Sequence, residues 1–179
     1  MVRFVSLLLV VVVACGHPGP VLGEDMPSDL VEVVNATLEA VESEAPALTD
    51  CLDGLVIGHT WELDDRASYD PNTSTILLRA PSTASKFEFS LAHEIAHHLE
   101  FACPAQTKIR AGFLETQGLD ASINWFDGDP WEEIPSEQFA TAFAEVVTGG
   151  TDTMRHVPVT ESSRRLVNAW AKGELEDQS

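Results

Sequence analysis

Basic residues are scarce in this 179-residue chain: 10 Lys and Arg stand against 29 Asp and Glu, a formal net charge of −19. Such a surface repels polyanions, so neither nucleic acid nor an anionic membrane surface is an expected partner. It would steer cationic peptides inward, but a solubilising surface accounts for the same imbalance and is the simpler reading. Tyrosine is scarcer still, with Tyr69 alone. The three cysteines, Cys15, Cys51 and Cys103, contain no C-x-x-C spacing, which argues against thiolate zinc ligation. Internal repeats and low-complexity tracts are missing, which argues against a solenoid or a long disordered region. The one long apolar run, Phe4–Ala14, is too short to span a bilayer comfortably as a helix.

That run follows the basic start Met1–Arg3 and has the length of a signal-peptide core. Two processing sites fit. Val12-Val13-Ala14-Cys15 resembles a lipobox, which would make residues 1–14 the leader and Cys15 a lipidated N-terminus followed by a linker. Val21-Leu22-Gly23 meets the small-residue rule, which would make residues 1–23 the leader and release a soluble protein starting at Glu24. Both imply a secreted or cell-surface protein, with membrane contact only through a lipid at Cys15. Either way Cys51 and Cys103 remain as an even pair in an oxidising compartment. A disulfide between them would be worth about 3–4 kcal/mol in chain-entropy terms. Residues 24–179 have the size of one domain, expected as a monomer.

Gly16–Pro27 reads as a Pro/Gly linker. Leu30, Val33, Val34, Leu38 and Val41 recur at helical steps from Ser28, with Asp29 and Glu32 resembling a capping box and Pro46 limiting the far end. Leu55–Trp61, Ala67–Asp70 and Thr75–Arg79 read as strands, the last two joined by the turn Pro71-Asn72-Thr73-Ser74. Further helices are expected over Ser85–Ala102, ended by Pro104, within Gln106–Trp131 ahead of a Gly/Asp/Pro loop, over Pro135–Val147 before Gly149-Gly150, and from Thr160 onward. Helix, small sheet, then helices makes an α+β layout.

The chemistry centres on Leu91-Ala92-His93-Glu94-Ile95-Ala96-His97-His98-Leu99-Glu100. On a helix, His93 and His97 lie one turn apart on one face and can grip one ion. Zinc accepts imidazole nitrogen tetrahedrally and leaves a position for water at a catalytic site. Glu94, about 100° around the helix from His93, flanks that face and suits a general base rather than a ligand. By this chain's own residue frequencies the pattern arises by chance in about two chains in a hundred, so context matters. Leu91, Ala92, Ile95, Ala96 and Leu99 form an apolar arc away from the two histidines, as a half-buried metal helix requires. His98 points about 100° from His97 and reads as a helix-surface residue. For a third ligand, Glu137 shares a helical face with the small residues Ala140, Thr141 and Ala144, a face able to approach the first helix closely. Glu145 competes but lies about 80° off that direction.

LAHEIAHHLE followed some forty residues later by SEQFATAFAE resembles the gluzincin zinc peptidases, most of all the catalytic domain of anthrax lethal factor and related small exported peptidases. The resemblance covers His93–Glu100, Glu137–Ala144 and the preceding strand. It implies a zincin-like fold, one catalytic Zn2+ held by His93, His97 and Glu137, Glu94 as base and acid, and a peptide or protein substrate. It also implies that Thr75–Arg79 is the edge strand on which substrate is laid. The chain departs from the pattern twice. The tyrosine that steadies the oxyanion in the lethal-factor type has no counterpart in Asp129–Pro135, leaving Tyr69 or His156 as candidate donors, each weighed against an ordinary structural role. Thr141 stands where thermolysin-like enzymes carry an aspartate, so the group that orients the histidines is unidentified. The competing expectation is a zincin-fold surface lipoprotein that binds without cutting. Trp125 and Trp131 flank the loop before Glu137 and either pack in the core or line a substrate pocket.

Overall fold

Alternation of apolar and polar residues sets the three main strands, and their buried members face a helical layer. The computed structural model describes residues 19–150 and 157–175. Val56–Thr60 (β2), Ala67–Asp70 (β3) and Thr75–Arg79 (β4) follow a short strand, Val21–Leu22 (β1). The sheet order is β1-β2-β4-β3, with β1 and β4 parallel to β2 and β3 antiparallel to β4. Ile57 pairs with Ile76, and both are fully buried with Leu78. Leu77, on the opposite face, is exposed, as the period of two requires.

The helices are α1 (Ser28–Glu44), α2 (Ala84–Ala102), α3 (Pro104–Gln117), α4 (Pro135–Thr148) and α5 (Glu161–Ala171), with 3-10 turns at Pro46–Leu52 and Trp131–Glu133. The architecture is α+β. In α2 the expected apolar arc of Leu91, Ala92, Ile95, Ala96 and Leu99 is completely buried. In α4, Ala140 and Ala144 are equally buried, and α2 and α4 pack together. An aromatic cluster closes the far side: Phe113 lies 5.6 Å from Trp125 and 5.8 Å from Phe139 between ring centres, and Trp170 joins from α5. Gly149, at φ 64°, ends α4 in the left-handed conformation that glycine adopts without steric cost. No helix of the described residues is long and apolar enough to cross a membrane.

Three local expectations are corrected. Helix α1 begins at Ser28 behind Pro27, with no side-chain cap; Asp29 falls inside the first turn, where its charge suits the helix dipole instead. The linker is not wholly irregular, because Val21 N–H donates to the Leu55 carbonyl (2.8 Å) and Gly23 N–H to the Ile57 carbonyl (2.9 Å). Strand β4 is interior, and the edge is β3. Hairpin pairing alone leaves open which of its two strands meets β2; the buried Ile57, Ile76 and Leu78 decide for β4. The leader and Cys15 lie outside the described residues.

Candidate metal centre

Two helix turns supply the donors. His93 and His97 project from α2 beside its buried arc, and Glu137 comes from the first turn of α4, which packs against it. His93 Nε2 lies 3.1 Å from Glu137 Oε2. His97 Nε2 lies 3.2 Å from His93 Nε2 and 3.5 Å from Glu137 Oε2. Ligand atoms around a tetrahedral zinc with bonds of ~2.0–2.1 Å stand about 3.3–3.4 Å apart, so the triangle has the dimensions of three zinc ligands. Among the described residues this is the one group of His, Cys, Asp and Glu donors that converges within 4.8 Å.

The tautomer of His97 follows from its neighbours. Glu100, buried one helical turn further along α2, accepts from His97 Nδ1 at 2.9 Å. It also accepts from Ser136 Oγ at 2.8 Å and from the buried Trp125 Nε1 at 2.6 Å. A carboxylate only accepts, so Nδ1 carries a hydrogen, and in neutral His97 the free lone pair is the one on Nε2, the atom that faces Glu137 and His93. Glu100 is thus the histidine-orienting group that Thr141 cannot be. Its signal was present in the sequence as an acid three residues after His97, on the same helical face.

Charge in the trio is strongly coupled. Burial works to lower the His97 pKa, but hydrogen bonds to Glu100 and Glu137 and the charges of Glu100 and Glu94 outweigh it, raising it well above 6.5. For Glu137, burial raises the pKa, and the hydrogen bonds and charges of His93 and His97 overcome it and hold the carboxyl at about 2. A carboxylate that stays ionised beside two imidazole nitrogens is a donor set that could hold a cation.

Compared with known proteins, the chain matches no family model, no curated protein and no solved structure.

Glu94 is buried and lines both spaces beside the trio. One is an open cleft of about 350 Å3 that runs past His97 and Glu137 to Tyr69 and Phe101. The other is a small cavity of about 30 Å3 reaching Ser90, Phe89 and Thr141. Tyr69 borders the cleft, but its hydroxyl lies 3.1 Å from His98 Nδ1. His98 is the main departure from expectation: it is buried, with Nε2 2.9 Å from the Cys51 carbonyl. That carbonyl can only accept, so Nε2 carries the hydrogen and Nδ1 accepts from the Tyr69 hydroxyl. Burial keeps the His98 pKa low, against the weaker opposing effect of the Cys51 carbonyl, which favours this neutral form. The helical wheel placed His98 correctly off the metal face, but the wheel does not show that β3 and the turn at Cys51 cover that side.

Glu145 pairs with Arg164 of α5, away from the trio. His156 lies outside the described residues. The two tryptophans divide: Trp125 is in the core, and Trp131 is 37% exposed at the cleft.

Proposed function

We propose that this chain is an exported zinc-dependent endopeptidase of the gluzincin type on a zincin-like fold. The observation that carries the reading is the 3.1, 3.2 and 3.5 Å triangle of His93, His97 and Glu137 donors, with His97 locked in the ligating tautomer by Glu100. Zinc bound there supplies Lewis acidity and a water acidified toward neutral pH. Glu94, adjacent to His93 in sequence and bordering both spaces, is placed to take a proton from the attacking water and return it to the departing amine. Edge strand β3 beside the cleft offers free backbone groups to an extended peptide. The leader-like start and the Cys51–Cys103 pair support an extracytoplasmic location.

A second reading, a metal-binding module that does not cut, draws on one observation: the Tyr69 hydroxyl is engaged by His98 rather than free for an oxyanion. The test is zinc content together with cleavage of a proteome-derived peptide mixture. One zinc per chain is expected in the wild type and a sharp loss in His97→Ala and Glu137→Ala. Glu94→Gln should keep the zinc and lose cleavage by at least about 100-fold. Cleavage undiminished in Glu94→Gln overturns the assigned base, and a folded protein without zinc overturns the whole reading.

A further inference from the structure

Of the eight exposed large hydrophobic residues among those described, three, Phe101, Phe126 and Trp131, border the one cleft that holds the metal trio. They are 55, 45 and 37% exposed. Phe101 and Phe126 stack at 5.2 Å with planes 19° apart, and Tyr69 lies 6.1 Å from Phe101. The Arg110 guanidinium lies 5.0 Å from the Phe126 ring centre and helps hold it. These rings are fixed by each other while much of their surface stays in water, which is the character of a preformed apolar subsite.

The strand geometry gives the shelf a side. Antiparallel pairing is the stronger and commoner mode, so a peptide added to β3 runs from its Tyr69 end toward its Ala67 end. Tyr69, Phe101 and Phe126 border only the cleft, as do His97 and Glu137, and Ser90 and Thr141 border only the smaller cavity, while His93, Glu94, Ala67 and Trp131 border both. His93 and Glu94 therefore sit where the two spaces meet, with Phe101 and Phe126 on the Tyr69 side, toward the amino end of the bound peptide. We infer that the site selects peptides carrying a bulky aromatic or aliphatic side chain on the amino side of the cleaved bond, seated on Phe101 and Phe126. This rests on the peptidase reading above. The carboxyl side meets a cavity of mixed polarity, with Ser90 and Thr141 hydroxyls beside Phe89.

The test is peptide-library cleavage by the zinc-loaded full chain, wild type beside a Phe101→Ser, Phe126→Ser variant. Wild type should enrich Phe, Tyr, Trp, Leu or Met at least about fivefold within two residues before the cut. The variant should lose that enrichment and raise KM about tenfold, with kcat within about twofold and one zinc retained. Cleavage without such enrichment, or enrichment only after the cut, overturns the inference. If the zinc-loaded protein cuts nothing, the peptidase reading fails, and the shelf is judged by binding of acyl-hydroxamates to the zinc form. A phenylalanyl hydroxamate should then bind about tenfold tighter than its glycyl counterpart, a difference that the double variant abolishes. Equal affinities in the wild type overturn the shelf as well.

Discussion

At the residue scale, the trio ties protonation to metal binding. Glu137 is held at about 2 against an ordinary 4.5, so its contribution to stability is present above pH 4.5 and lost as pH falls toward 2. His97 is raised above 6.5, so its contribution is present below pH 6.5 and lost as pH rises through the folded value. Metal-free protein should therefore draw most stability from this cluster between about pH 4.5 and 6.5, read from thermal midpoints in chelator. Zinc bound by the trio, as proposed, would have to displace the His97 proton, so its affinity should climb with pH over the same range and beyond; a flat titration would remove His97 from the ligand set. Glu100 offers a second test. Three donors converge on its carboxylate, and a glutamine would turn an NH2 toward one of them. Glu100→Gln should weaken zinc binding by about 10–100-fold in a competition titration, and a change below twofold would reduce Glu100 to packing. The convergence of His93, His97 and Glu137 was legible, the histidine pair from helical spacing and Glu137 from its face shared with Ala140, Thr141 and Ala144. Glu100 and His98 were harder, because their partners, Trp125, Ser136, Tyr69 and the Cys51 carbonyl, come from distant segments.

At the scale of elements, β2, β3, β4, α2 and α4 were readable nearly to the residue, since each has a clean period and a breaker at its end. The edge assignment was not, because it depends on which hairpin strand meets β2. Strand β1 escaped notice because two residues carry no period. Its place has a consequence for processing: a cut after Gly23 would remove Val21 and Leu22 from the sheet. A chain starting at Glu24 should be less stable than one starting at Gly16 by about 1–3 kcal/mol, the worth of the two lost backbone hydrogen bonds. Urea midpoints compare the two, and equal values would make β1 dispensable.

At the scale of the whole molecule, Cys51 and Cys103 lie at disulfide distance, with Cα atoms 5.2 Å apart across a sequence separation of 52. They join the 3-10 turn before the sheet to the end of α2. Cys51→Ser with Cys103→Ser should cost about 3–4 kcal/mol, seen as a lower melting temperature; an unchanged one would show that the pair stays reduced. The separation of charge is also molecular in scale: a chain of net charge −19 brings together His93, His97 and Glu137, three donors that could hold a cation. Local order was written in the sequence. Periodicity, turn residues and helical spacing depend on neighbours a few positions apart, and they determined the α+β layout and the face shared by His93 and His97. The tertiary structure alone decided the distances and partners around that helix. Glu137 is 44 residues from His93, Ser136 is 36 from Glu100, and Tyr69 is 29 from His98. Such pairs follow from how α2, α4 and the sheet close over one core, and no local period encodes that closure.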